Sequence, residues 1–186
     1  MAVPLFDPAT PLQPLSRRLR DALESVLDSG RFVLGPEVAA FETEFAAFVG
    51  TDHAVGVANG TEAITIALRA LGIGPGDDVV VPSFTFYASA EAVPLTGARP
   101  VFCDVDPHTF CVTADTVRAA LTPATKAVIA VHLFGNVAPV REIEALGVPV
   151  VEDAAQAAGS RTGAGHAGAL GTVGCFSFFP SKNLGG

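Results

Sequence analysis

In Lys126-Ala127-Val128-Ile129-Ala130-Val131, followed by His132, the residues from Ala127 to Val131 are apolar on both alternating faces. A strand that meets water on one side alternates apolar with polar residues, so an unbroken apolar run predicts a strand covered on both sides. Working outward, residues 54–58, 78–82, 99–103 and 148–152 are further short runs rich in β-branched residues. Residues 61–71, 86–95, 115–121 and 140–146 lie between them and carry helical spacing. Upstream, Leu15, Leu19, Ala22, Leu23, Val26 and Leu27 mark one face of a helix over 12–29 that Gly30 ends. Val38, Phe41, Phe45 and Phe48 mark another over 36–48, with Pro36 at a favourable first position.

Such alternation predicts an α/β fold: a three-layer, mainly parallel sheet with helices on both faces. The 186 residues suit one domain, and no repeat, low-complexity block or linker divides them. In a sheet of this kind ligands sit at the carboxyl ends of the strands, so the residues just after each strand are the ones to read for chemistry.

After 54–58 comes Asn59-Gly60-Thr61-Glu62, opening a helix. Free amides and the helix dipole make such a start a phosphate site, although an ordinary helix cap has the same spelling. After 78–82 comes Pro82-Ser83-Phe84-Thr85-Phe86-Tyr87, whose aromatics suit stacking on a flat ring or packing in a core. One phenylalanine is expected to pack and the other to be free to stack. After 148–152 comes Asp153-Ala154-Ala155-Gln156. An acid there is partly desolvated and needs a cationic or hydrogen-bonding partner, unless it caps a helix. Residues 176–179 are expected to form an aromatic strand leading to Pro180-Ser181-Lys182-Asn183. A lysine in an apolar pocket is a nucleophile toward carbonyls.

Gly163-Ala164-Gly165-His166-Ala167-Gly168 has the GxGxxG spelling but follows a polar turn and opens no helix, so it is read as a loop. His53, His108, His132 and His166 show no metal-ligand spacing, and no metal is expected. His132 is read either as a site-lining or as a buried structural residue. The net charge of −8, without a Lys/Arg cluster, argues against nucleic acid. No apolar run reaches membrane-spanning length, and residues 1–7 lack signal-peptide character. Cys103, Cys111 and Cys175 form no CxxC pair, which predicts a reduced cytoplasmic protein.

Taken in order, the Gly-Thr helix start, the aromatics, Glu152-Asp153-Ala154-Ala155-Gln156 and Ser177-Phe178-Phe179-Pro180-Ser181-Lys182-Asn183-Leu184-Gly185 resemble the DegT–StrS family of pyridoxal-phosphate (PLP) sugar aminotransferases. Leu71–Asp77 in its Leu-Gly-Ile-Gly-Pro-Gly-Asp form, Val101-Phe102-Cys103-Asp104-Val105-Asp106-Pro107 and Val131-His132-Leu133-Phe134-Gly135 are also similar to it. The resemblance runs from about Ser29 to the end. It implies Lys182 as the catalytic Schiff-base lysine, Asp153 as the acid at the pyridine nitrogen, and Gln156 beside the ring hydroxyl. It likewise implies Gly60, Thr61 and Ser177 as a phosphate cradle and Phe86 stacked on the ring.

The implied reaction moves an amino group, usually from glutamate, to a keto group of a nucleotide-linked sugar. Lysine rather than histidine at 182 favours transamination over dehydration. The resemblance further implies that 186 residues are the N-terminal part of a PLP-binding large domain, without the smaller C-terminal domain. A fragment of a homodimeric enzyme, possessing an incomplete site, is therefore expected. Two other readings compete: a non-catalytic PLP-binding regulator on the same scaffold, and a dinucleotide-binding oxidoreductase. Asn59-Gly60-Thr61 lacks the glycine trio that the oxidoreductase requires.

Overall fold

The apolar run at 127–131 lies at the centre of a sheet. In this computed structural model, which describes residue 7 and residues 9–185, it belongs to strand β3, Thr125–Val131. The other strands are β1 Asp78–Pro82, β2 Arg99–Cys103, β4 Val150–Asp153, a short antiparallel pair β5 Arg161–Thr162 and β6 Gly165–His166, and β7 Val173–Cys175. The main sheet has the order β2-β1-β3-β4-β7, and every neighbouring pair is parallel. The 163–168 segment read as a loop thus holds half of a two-residue hairpin.

Helix α4 Gly60–Ala70 precedes β1, and α5 Tyr87–Glu91, α6 Ala114–Ala120 and α7 Val140–Glu144 connect β1 to β2, β2 to β3 and β3 to β4 in turn. Alternate strand residues belong to two separate cores. Val79, Val81, Ile129 and Val151 pack with Ile64 and Leu68 of α4. Val80, Val128, Ala130 and Val150 pack with Val117 of α6 and Ile143 of α7. The sheet is therefore covered on both faces, as its unbroken apolar strands require. Each fully buried Val or Ile contributes about 1.5–3 kcal/mol relative to exposure. Helix α4 starts at the cap Asn59, whose Oδ1 accepts the Glu62 amide at 2.9 Å. Glu62 in its first turn and Arg69 in its last both complement the helix dipole.

The described residues fall into two units, one ending at Gly56 and one beginning at Val57. The first contains α1 Ala9–Leu12, a 3₁₀ turn Gln13–Leu15, α2 Ser16–Ser29 and α3 Pro36–Val49. Gly30 closes α2 in the left-handed conformation, φ 64°. The apolar stripe on α2 is exposed at Leu19, Leu23 and Leu27. Residues 1–6, which carry most of the segment lacking signal-peptide character, lie outside the described residues.

Several expected elements differ. Residues 54–58 form no strand: they have no ladder partner among the described residues, and β-branched residues do not make a strand without one. The helix expected over 86–95 ends at Glu91, and Pro94 begins a separate 3₁₀ turn, because proline interrupts helical hydrogen bonding. The aromatic strand expected at 176–179 lies earlier, at Val173–Cys175. Its partner β4 ends at Asp153, which pairs with Cys175, so the ladder stops there.

Candidate active site

Because the sheet is parallel, the carboxyl ends of its strands share one edge. Asp153 is the last residue of β4, Thr85 and Phe86 follow β1, Phe134 follows β3, and Ser177 and Lys182 follow β7.

Asp153 is 7% exposed. Its Oδ2 accepts the Ser89 hydroxyl at 2.7 Å and its Oδ1 the Ala155 amide at 3.1 Å. Turns follow it rather than a helix, so it does not act as a helix cap. Gln156 belongs to those turns, and its Oε1 accepts the Phe134 amide at 2.9 Å. An amide N–H only donates, so the oxygen of Gln156 faces Phe134 and its NH2 is left to donate elsewhere. Gln156, Phe134, Ser181, Lys182 and Asn183 line one cavity of about 380 Å³. Lys182 is half-buried there, and its amide donates to the Phe179 carbonyl at 2.8 Å.

Gly60 and Ser177, 117 positions apart in sequence, meet at the start of α4. A Cβ on Gly60 would lie 3.0 Å from the Ser177 Cβ and 3.3 Å from the Phe176 carbonyl oxygen. A side chain at position 60 would crowd both neighbours, so glycine suits this close approach of the two segments. The amides of Gly60 and Thr61 belong to the first helical turn, where an amide has no intrahelical acceptor. Those amides and the Ser177 hydroxyl together suit the oxygens of a phosphate.

Of the two phenylalanines after β1, neither is buried. Phe84 is tilted against Phe110, with centroids 5.8 Å apart, and Phe110 in turn meets Phe134 edge-on at 6.0 Å. Phe86 is 70% exposed and caps α5, with its ring open to a ligand. Phe110 and Phe134 both adopt left-handed backbone, φ 59° and 56°. That conformation costs about 1–3 kcal/mol per residue and is offset here by surrounding contacts.

His132 does not line the cavity. It is fully buried, its Nε2 lying 2.7 Å from Glu152 Oε2, and its Nδ1 accepts the Ala138 amide at 3.0 Å. The ring is therefore neutral and protonated at Nε2. Glu152, adjacent to Asp153 but directed to the opposite face of β4, also accepts the amides of Gly168, Leu170 and Gly171. Burial raises the affinity of this carboxyl for a proton, but the hydrogen bonds from His132, Gly171 and Gly168 outweigh it and hold the group below its ordinary value. Burial pushes the Cys175 thiol, which lies in the core on the α4 face of the sheet, up to about 12, which leaves it unreactive.

Glu152 and Ser89 are the residues that sequence reasoning did not single out. Glu152 was visible as the acid preceding Asp153, but nothing indicated its partners. Ser89 lies 64 positions from Asp153 and carried no signal.

A parallel sheet covered on both faces, with a buried acid and a lysine beyond the carboxyl ends of its strands, has the architecture of the cofactor-binding domain of PLP-dependent aminotransferases. The chain belongs to the DegT/DnrJ/EryC1/StrS aminotransferase family, whose model matches residues 15–186. It is 48% identical to a UDP-N-acetyl-3-dehydro-alpha-D-glucosamine 3-aminotransferase of Acidithiobacillus ferrooxidans, over 99% of this chain and 51% of that protein. It is 44% identical to a protein of Geobacillus stearothermophilus called pleiotropic regulatory protein, over 100% of this chain and 51% of that one. The crystal structure of DesV from Streptomyces venezuelae in complex with a ketimine intermediate superposes with a TM-score of 0.94 at 47% identity, covering 98% of this chain and 50% of DesV. The chain thus spans about half the length of the curated relatives it matches.

Proposed function

We propose that this chain is the N-terminal part of the PLP-binding large domain of an aminotransferase that aminates a keto group of a nucleotide-linked sugar, with glutamate as donor. The observation that carries the reading is that one parallel sheet has at its carboxyl ends both a buried, hydrogen-bonded Asp153 and, beyond β3, β4 and β7, a cavity lined by Phe134, Gln156 and Lys182. The residues fit PLP. Gly60, Thr61 and Ser177 form the cradle for its phosphate, Asp153 supplies an acceptor for the pyridine N–H, and the NH2 of Gln156 is a donor for the ring oxygen. The exposed ring of Phe86 supplies a flat apolar face.

PLP, when bound, supplies an electron sink and carries the amino group between the two substrates. Lys182 holds the cofactor and, once free, moves a proton to and from the reacting substrate carbon. Asp153 keeps the ring nitrogen protonated. The balance is an exchange: the donor's C–NH2 becomes C=O, and the sugar's C=O becomes C–NH2. Relatives acting on UDP- and dTDP-linked sugars support the substrate class. The reading includes a homodimer and a cytoplasmic setting, for which the three buried, free thiols are suitable. Among the described residues no helix is long and apolar enough to cross a membrane.

The relative called pleiotropic regulatory protein favours a second reading, a PLP-binding regulator without turnover. One experiment separates the two. The complete protein is given glutamate and a UDP- or dTDP-linked keto-sugar, and 2-oxoglutarate and amino-sugar are measured. Equal amounts of both are expected, and Lys182→Ala should abolish them together with borohydride-fixed attachment of PLP. Fixed cofactor without either product would favour the regulator, and unimpaired turnover by Lys182→Ala would overturn the assignment of that lysine.

A further inference from the structure

We propose that Ser89 is a positioning residue for Asp153, which it aims through a hydrogen-bond relay that begins at Thr85. The proposal rests on the reading of Asp153 as the acid facing the pyridine nitrogen.

Asp153 has a short side chain with two free torsions. The Ala155 amide, two residues on, holds Oδ1 at 3.1 Å but comes from the same turn and leaves the carboxylate plane free to rotate about that contact. The second restraint comes from a different element. Ser89 lies on α5, beyond the carboxyl end of β1, and its Oγ is 2.7 Å from Asp153 Oδ2. Two donors from two elements fix both oxygens, and with them the direction of the remaining lone pairs.

The direction of the relay follows from donor and acceptor chemistry. An ionised carboxylate only accepts, so the Ser89 hydroxyl proton is directed at Asp153. The Ser89 oxygen is then an acceptor for Thr85 Oγ1, 3.2 Å away. Thr85 therefore orients Ser89, and Ser89 orients Asp153. Ser89 is fully buried, so water has no ready route to replace its hydroxyl if it is removed. Phe86, at the cap of α5, and Ser89 share one short element. A displacement of that element moves the stacking face and the aimed acid together, which couples ring placement to ring protonation.

The test uses the complete protein and four variants: Ser89→Ala, Ser89→Thr, Thr85→Val and Asp153→Asn. Each is examined for the visible absorbance spectrum of bound PLP, for kcat and KM of the glutamate half-reaction, and for far-UV circular dichroism. Ser89→Ala should displace the cofactor spectrum toward that of Asp153→Asn and lower kcat by about tenfold to a hundredfold, the consequence of losing one hydrogen bond to a charged group. KM for glutamate should change little, because Ser89 touches neither substrate. Ser89→Thr keeps the hydroxyl and should restore the spectrum. Thr85→Val leaves the Ser89–Asp153 bond in place and should shift the spectrum the same way by less. If Ser89→Ala does not fold, Thr85→Val decides the question. A wild-type spectrum and kcat in Ser89→Ala, or in Thr85→Val when it stands alone, while Asp153→Asn is altered, overturns the role of Ser89. A wild-type spectrum in Asp153→Asn overturns the underlying reading of Asp153 instead.

Discussion

Glu152→Gln tests the polar centre behind the candidate site. The Glu152 carboxylate is fully buried. Its Oε1 accepts the amides of Leu170 at 2.7 Å and Gly171 at 2.6 Å, and its Oε2 accepts the Gly168 amide at 2.9 Å and the His132 ring N–H, from Nε2, at 2.7 Å. Glutamine keeps one acceptor oxygen, and whichever way it turns, its NH2 meets two N–H donors. The other tautomer of His132 gives no relief, because a proton on Nδ1 would face the Ala138 amide. Two charge-assisted bonds at about 1.5–3 kcal/mol each give a loss of about 3–6 kcal/mol. A domain is stable by only about 5–15 kcal/mol. The loss also depends on pH. The folded carboxyl lies below its ordinary value of 4.5, so its stabilisation is complete above that value and disappears as pH falls through the folded value. Urea unfolding of the wild type and the variant, followed by circular dichroism from neutral to acid pH, measures both effects. The variant should be the weaker at neutral pH, with the gap closing in acid. A gap below about 1 kcal/mol at neutral pH, or one unaffected by acid, would refute the hydrogen-bond accounting.

Asp153→Asn should slow transamination by roughly a hundredfold or more, equivalent to about 3 kcal/mol, while PLP still binds. Near-normal rates with cofactor present would leave Asp153 a structural residue only. Gly60→Ala places a methyl group 3.0 Å from the Ser177 Cβ and should weaken PLP binding by about 1 kcal/mol or more, read by titration of the apo-protein. Unchanged affinity would remove this cradle from the phosphate site. Arg99 grips Asp78 through Nε and Nη2, both at 2.8 Å, and with Thr122 holds that carboxyl at about 2. Its folded value is depressed, so the stabilisation is present above the ordinary 3.8 and is lost as pH falls toward about 2. Arg99→Ala should move acid unfolding to higher pH, and an unchanged acid transition would contradict this.

The sequence by itself determined the alternation of strands and helices, because burial on both faces removes the polar residues that would otherwise interrupt each strand. It located β1 and β2 to the residue and β3 within one. It also offered Asp153 and Lys182 as candidates, since in a parallel sheet ligands bind beyond the carboxyl ends of the strands; Asp153 ends β4, and Lys182 lies in the turns downstream of β7. Tertiary structure decided where pairing begins and ends. Residues 54–58 and 176–179 have the composition of strands but are not part of any sheet among the described residues, and a strand exists only through the hydrogen bonds of its neighbour. It also decided what each polar group does. Ser89 and Asp153 are brought together across 64 positions, and Gly60 meets Ser177 across a longer interval. His132 proves to be a neutral structural donor to Glu152 because the Ala138 amide occupies its other nitrogen. Local pattern encodes burial and periodicity, whereas hydrogen-bond partnership depends on which distant segments the folded sheet sets side by side.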